Sequence, residues 1–227
     1  DLIKERTGKD IDINNIPLDD KETFEMLSKG ETDAVFQLES SGMKKYIKRL
    51  KPSVFADLGA MVALYRPGPL GAGMVDDFID RKHGLQKVEY AHTLLESVLK
   101  ETYGTILYQE QIMQTFQVLA DYSLGDADMV RRMMGKKDLK TMEEQRDKFI
   151  EASAKHDMKK EDAEKLFNQI LAFASYCFNR SHSACYAFVA YQTAYLKAHY
   201  PVEYICAMLT NSKDDLDKIQ LYITEAQ

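Results

Sequence analysis

The chain has 227 residues, and its 30 Lys plus Arg against 36 Asp plus Glu give a formal charge of −6. That length makes one large domain or two small ones, with enough chain for a sizeable core. Hydrophobic residues at 45% and charged residues at 29% exclude a disordered chain, and the acidic balance excludes the overall basic footprint of an independent nucleic-acid binder.

Residues 1–18 are polar, lack the apolar stretch of a secretory signal and read as a leading segment. The first residue is Asp1 rather than Met, as expected of a fragment or a processed product. Asp19 or Asp20 caps a short helix carrying Phe24, Met26 and Leu27, which Gly30 ends. Leu38, Met43, Tyr46, Ile47 and Leu50 recur at helical spacing and predict a helix over 38–50. Lys44, Lys45, Lys48 and Arg49 form its basic face. Pro52 suits the first turn of the next helix, with Phe55, Leu58, Met61 and Val62 inward. Arg66-Pro67-Gly68-Pro69 must stop that helix, and Gly71 and Gly73 extend the loop. Further helices are expected over 74–82, 104–121, 126–134 (closed by Gly135), 139–154 and 160–174. The segment 175–183 breaks the pattern. Ser183 then opens a long, weakly charged helix to His199, and Pro201 starts the last helices. Its run Ala184 to Ala198 is too short for a membrane span. The class is mainly α with few or no strands, apart from a short pair expected near 34–38 and 104–108. No repeat and no clear linker appears.

The three cysteines, Cys177, Cys185 and Cys206, are odd in number and form no CxxC pair, which predicts reduced thiols in a cytoplasmic protein. The five histidines show no HxxxH or HxH spacing, so no zinc site is expected. Asp76-Asp77 and Asp19-Asp20 are neighbours that point apart on a helix. Asp10-Ile-Asp12 and Asp126-Ala-Asp128 lack the strand context of a two-metal carboxylate site.

Four segments carry possible chemistry. Arg131-Arg132-Met-Met-Gly135-Lys136-Lys137 converges cations from one element, as a polyphosphate requires; the competing reading is a solvated charged face. Tyr176-Cys177-Phe178-Asn179-Arg180-Ser181-His182-Ser183 gathers an aromatic, an amide, a guanidinium and an imidazole ahead of a helix. Capping by Ser181 or Ser183 would explain part of it. Tyr65-Arg66-Pro67-Gly68-Pro69-Leu70 is a rigid turn that aims Arg66 at a phosphate or fixes two helices. Tyr108-Gln109-Glu110-Gln111 is an uncommon polar start to an apolar helix and suggests a polar network rather than a catalyst.

Phe36-Gln-Leu-Glu-Ser-Ser-Gly-Met, Ala63-Leu-Tyr-Arg-Pro-Gly-Pro-Leu, Gly73-Met-Val-Asp-Asp-Phe-Ile-Asp-Arg-Lys-His-Gly, Leu107-Tyr-Gln-Glu-Gln-Ile-Met, Arg131-Arg-Met-Met-Gly-Lys-Lys and Asn179-Arg-Ser-His-Ser-Ala together resemble the bacterial C-family replicative polymerases, the DNA polymerase III alpha subunits. Order and spacing agree from about residue 17 to residue 210. The resemblance implies a helical fingers domain over 19–227, incomplete at its C-terminal end, preceded by a palm–fingers junction over 1–18. It implies that Arg131 and Arg132 contact the triphosphate of an incoming deoxynucleotide, with Lys136 and Lys137 continuing the basic rim. Tyr176, Asn179 and His182 then lie beside base and sugar. Arg66, Pro67, Gly68 and Pro69 lie at the base of the fingers, with Gln109 as a positioning residue. Arg180 replaces the family's usual lysine and keeps the charge with a different geometry.

The resemblance also implies what lies elsewhere. The palm's PDxDxDF-type and Asp-Phe-Leu-Gly-Leu motifs are not in this sequence. The Mg2+ ligands, the other replicase subunits' docking regions and the catalytic aspartates therefore belong outside this chain, and the chain alone is expected to be inactive. Its partners in the intact DNA-directed DNA polymerase would be the deoxynucleoside triphosphate and primer–template DNA, with no membrane. Most members read Gly-Phe-Asn where this chain has Cys177-Phe178-Asn179. Cyanobacterial members carry a split intein before such a cysteine, which makes Cys177 a candidate intein junction. The competing reading is a small residue tolerated beside Phe178. A helical interaction or scaffold module without a nucleotide site is the alternative for the whole chain.

Overall fold

The computed structural model describes residues 1–136 and 139–226, the side chains of 135–141 excepted. It is built of helices, as the apolar spacing predicts, and they fall into two compact units. One comprises residues 1–62 and 184–227, the other residues 63–183. Among the described residues there is no strand ladder, only an isolated parallel bridge between Tyr108 and Phe178. No described helix is long and apolar enough to cross a membrane.

The discontinuous unit begins with α1 (Leu2–Thr7), α2 (Lys21–Lys29) and α3 (Ser41–Leu50). Asp20 caps α2: its carboxylate accepts from Thr23 N at 2.8 Å, from Thr23 Oγ1 at 2.7 Å and from His199 Nε2 at 2.9 Å. Burial draws this carboxyl upward, and the hydrogen bonds from Thr23 and His199 outweigh it, leaving it below its ordinary value. Gly30 closes the helix in the left-handed conformation, φ 73°. α3 starts later than expected because Ser40, whose Oγ accepts from Met43 N at 3.2 Å, is its cap. The expected strand at 34–38 is a set of turns in which Ala34 and Gln37 adopt positive φ. α4 (Phe55–Leu64) starts beyond Pro52, where the Asp57 carboxylate accepts from Ser53 N and Val54 N.

The last three helices are α12 (Arg180–His199), α13 (Pro201–Asn211) and α14 (Leu216–Glu225). Tyr191 of α12 is fully buried, its hydroxyl donating to Pro17 O at 2.7 Å and accepting from Asp20 N at 3.1 Å. Lys197, also buried, donates to Glu31 O and Asp33 O and pairs with Glu225. A buried ammonium so fully partnered avoids the penalty of an isolated charge.

The continuous unit contains α5 (Pro67–Gly71), α6 (Met74–Lys82), α7 (Glu96–Leu99), α8 (Gln109–Ala120), α9 (Leu124–Lys136), α10 (Leu139–Ser153) and α11 (Lys160–Ala174). The segment expected as a Pro-Gly-Pro loop is the one-turn helix α5 with Pro67 at its first position, where the missing N–H costs nothing. Its core gathers Leu95, Ile112, Val130, Leu166 and Ile170 around three phenylalanines. The Phe116 ring lies 5.0 Å from Phe149 and 6.1 Å from Phe167, both edge-on. α9 runs through Gly135 instead of stopping there.

Candidate functional site

Gln111 organises the approach to the site. Its side chain is 2% exposed. Its Oε1 accepts from Leu107 N at 2.8 Å and Tyr108 N at 2.9 Å, and its Nε2 donates to Thr102 Oγ1 at 2.7 Å. Those two backbone amides are therefore held out of the helix, so α8 starts at Gln109 and not at residue 104. Residues 107–109 are free to pair along the other segment: Phe178 N donates to Leu107 O at 3.0 Å, and Gln109 N donates to Phe178 O at 2.9 Å. The strand partner expected near 34–38 is thus replaced by residue 178.

That bridge brings the 176–183 turn beside the start of α8. Asn179, rather than Ser181 or Ser183, caps α12: its Oδ1 accepts from His182 N at 2.8 Å. The long helix consequently opens at Arg180. Glu110 accepts from Asn179 Nδ2 at 3.1 Å and from Arg180 N at 3.0 Å. The Arg180 guanidinium pairs with Glu101 and lies 5.7 Å from the Tyr108 ring centroid. The His182 ring stands edge-on to Phe178 at 5.3 Å.

Arg66 braces the same turn from below. It donates from Nη2 to Tyr176 O at 2.7 Å and from Nε to Ala63 O at 2.8 Å, with its guanidinium 4.5 Å from the Phe178 ring centroid. Burial lowers its pKa. Gly68 lets the Tyr176 ring pack close: a Cβ there would fall 2.7 Å from the ring, which would have to shift. Pro69 is buried and Pro67 exposed. The Arg-Pro-Gly-Pro element is therefore the seat of Tyr176 and Phe178.

The two arginines lie on α9. Asp128 takes both: its Oδ1 is 2.8 Å from Arg131 Nη2 and its Oδ2 is 2.8 Å from Arg132 Nε. The hydrogen bond from Arg131 is the largest of the effects that hold the Asp128 carboxyl below its ordinary value. Arg131 also donates to Gln109 Oε1 at 3.2 Å. Its side chain is 25% exposed against 69% for Arg132. Gln109 and Glu110, adjacent in sequence, thus connect Arg131 to the 176–182 turn. Lys136 ends α9, but its side chain and the whole of Lys137 lie outside the described residues.

Sequence reasoning singled out most of these positions but missed the roles of Asp128, Glu110 and Glu101. The Asp128 spacing, three and four residues before two arginines on a helix, was the available signal. No sequence signal joins Glu101 to Arg180 across 79 positions.

Cys177 is buried, and burial pushes its thiol up to about 12, against the opposing pull of Arg66. In the folded chain it packs in the core, whatever its role before folding. Exposed Cys185 and Cys206 should react with iodoacetamide at pH 8 first, with Cys177 slower by on the order of 10²-fold or more. Peptide mapping by mass spectrometry measures this, and equal rates at all three would contradict the buried thiol.

Among the described residues, no group of three or more His, Cys, Asp and Glu side chains is placed to hold a metal ion. The Asp128 carboxylate is paired with both arginines.

A family model described as the bacterial DNA polymerase III alpha subunit finger domain matches residues 1–157. The chain is 53% identical over 228 residues to the DNA polymerase III subunit alpha of Escherichia coli K12, covering 96% of this chain and 20% of that protein. It is 54% identical to the subunit of Haemophilus influenzae (94% of this chain, 19% of that protein) and 49% identical to that of Campylobacter jejuni (99% and 19%). The chain spans about one fifth of the length of the curated relatives it matches. A helical architecture, a family model matching well over half the chain and identity near one half across nearly all of it agree: the chain belongs to the bacterial DNA polymerase III alpha subunit finger-domain family.

Proposed function

We propose that this chain is the part of a replicative DNA polymerase that positions the incoming deoxynucleoside triphosphate and the adjoining template for nucleotidyl transfer. Arg131 and Arg132 bind the triphosphate, with Lys136 and Lys137 extending the cationic rim. Tyr176, Asn179, Arg180 and His182 form the opposite side, next to base and sugar. The observation that carries this reading is the link through Gln109 and Glu110, which joins Arg131 to Asn179 although they are 48 positions apart in sequence. A solvated charged face needs no such link.

Arginine supplies bidentate, charge-assisted hydrogen bonds to phosphate, and the two guanidiniums already stand side by side on one carboxylate. Mg2+ neutralises the transferring phosphates in such chemistry. Its ligands lie outside this chain, as do primer–template contacts beyond the fingers and the docking regions for other replicase subunits. The chain alone therefore does not extend primers.

Titration of the chain with a deoxynucleoside triphosphate, followed by amide NMR shifts, tests the reading. Shifts concentrated at 131–136 and 176–182, with no primer extension by the same sample, are expected. No shifts in either segment would favour a helical scaffold without a nucleotide site, and metal-dependent synthesis by the chain would refute its inactivity.

A further inference from the structure

Glu110 belongs to neither arm of the proposed site, yet its carboxylate reaches one of them. Half-buried at the second position of α8, it accepts two hydrogen bonds from the start of α12. One comes from Arg180 N, a first-turn amide with no acceptor inside its own helix. A carboxylate there is also favoured by the helix dipole. The other comes from Asn179 Nδ2.

The Asn179 side chain is thereby fixed at both ends. Its Oδ1 faces His182 N and its Nδ2 faces Glu110, and an amide can satisfy that pair in one orientation only. Remove the carboxylate and Asn179 keeps its cap but loses the partner that sets its NH2 group. One residue earlier, Gln109 does the corresponding work for Arg131. The first turn of α8 thus touches both arms, and Gln111 anchors that turn from within the core.

We infer that Glu110 is a positioning residue of the nucleotide site, acting through Asn179 and the opening of α12 to hold the 179–182 turn opposite Arg131. The inference rests on the nucleotide-site reading above. A group displaced by about 1 Å costs up to on the order of 10²-fold in rate, so a fixed amide on this turn matters to the reaction and not only to the fold.

The test uses the complete polymerase that contains this region, with Glu110→Gln as the variant. Glutamine keeps the size and one acceptor oxygen but loses the charge. Expected is a rise in KM for deoxynucleotides of roughly tenfold with a smaller fall in kcat, with a fall in melting temperature of no more than a few degrees, as expected for the loss of one helix-end contact. Combining it with Asn179→Ala should leave kcat/KM within about twofold of Asn179→Ala alone, because one residue acts through the other. Combining it with Arg132→Ala should multiply the two losses.

A merely structural cap would not produce that pattern. Wild-type kinetics for Glu110→Gln beside an impaired Asn179→Ala would overturn the inference, as would full additivity of the two. If Glu110→Gln does not fold, Glu110→Asp, which keeps the charge but shortens the reach, carries the same comparison. Wild-type kinetics for Arg131→Ala, Arg132→Ala and Asn179→Ala alike would instead overturn the nucleotide-site reading, and this proposal with it.

Discussion

Replacing Gln111 with leucine should destabilise the chain by about 2–6 kcal/mol, because it leaves two buried backbone amides without an acceptor at about 1–3 kcal/mol each. Leu107 and Tyr108 are 1% and 5% exposed, so water cannot take over from the lost Oε1. Thr102 Oγ1 loses a donor but still bonds Thr105 O at 2.7 Å, which limits the damage on that side. The cost is a large fraction of the 5–15 kcal/mol that hold a domain together. Chemical denaturation measures it, with Gln114→Leu on the exposed face of the same helix as a control expected within about 0.5 kcal/mol. Hydrogen exchange adds the local signature: the amides of residues 107, 108 and 178 should lose protection together, since the bridge to Phe178 depends on the backbone that Gln111 holds. A loss below about 1 kcal/mol with those amides still protected would contradict this account.

The same glutamine shows what was and was not legible in the sequence. The run Tyr108-Gln109-Glu110-Gln111 read as a polar network, and it is one. Which backbone groups it served was not readable, because the bridge between residues 107–109 and 178 is set by tertiary contact across 70 positions. Local signals did well where the physics is local. Asp19 or Asp20 ahead of Phe24, Met26 and Leu27 narrowed the cap of α2 to two neighbours, of which Asp20 takes the role, and gave its buried face; the helix expected over 160–174 has the bounds of α11. They did less well where several residues compete for one role. Asn179, Ser181 and Ser183 are all good caps, and Glu110, distant in sequence, selects the first by holding its amide. Gly135 read as a terminator, yet a single glycine costs a helix only about 1 kcal/mol, and α9 absorbs it. The positive φ of Ala34 and Gln37 defeated the strand expectation at 34–38, since alanine and glutamine give no warning of a left-handed conformation.

Asp128 belongs to the same category, and it shapes the strongest kinetic expectation. In the complete polymerase, Arg131→Ala and Arg132→Ala should each raise KM for deoxynucleotide and lower kcat. Removing one preorganised charge from a phosphoryl-transfer site costs on the order of 10²-fold, equivalent to about 2.7 kcal/mol of transition-state stabilisation. The two positions should separate under a conservative change. Arg131 is three-quarters buried and spreads its guanidinium between Asp128 and Gln109, which needs a planar fork that lysine lacks. Arg131→Lys should therefore recover little. Arg132 is mostly exposed, with its Nε 2.8 Å from Asp128 Oδ2, so a point charge there serves nearly as well and Arg132→Lys should recover most of the loss. Steady-state kinetics over a range of nucleotide concentrations measure both. Unchanged kcat and KM in the two alanine variants would remove the arginines from the site. Equal recovery by both lysines would mean that charge alone matters and that the hold of Gln109 on Arg131 is incidental to catalysis.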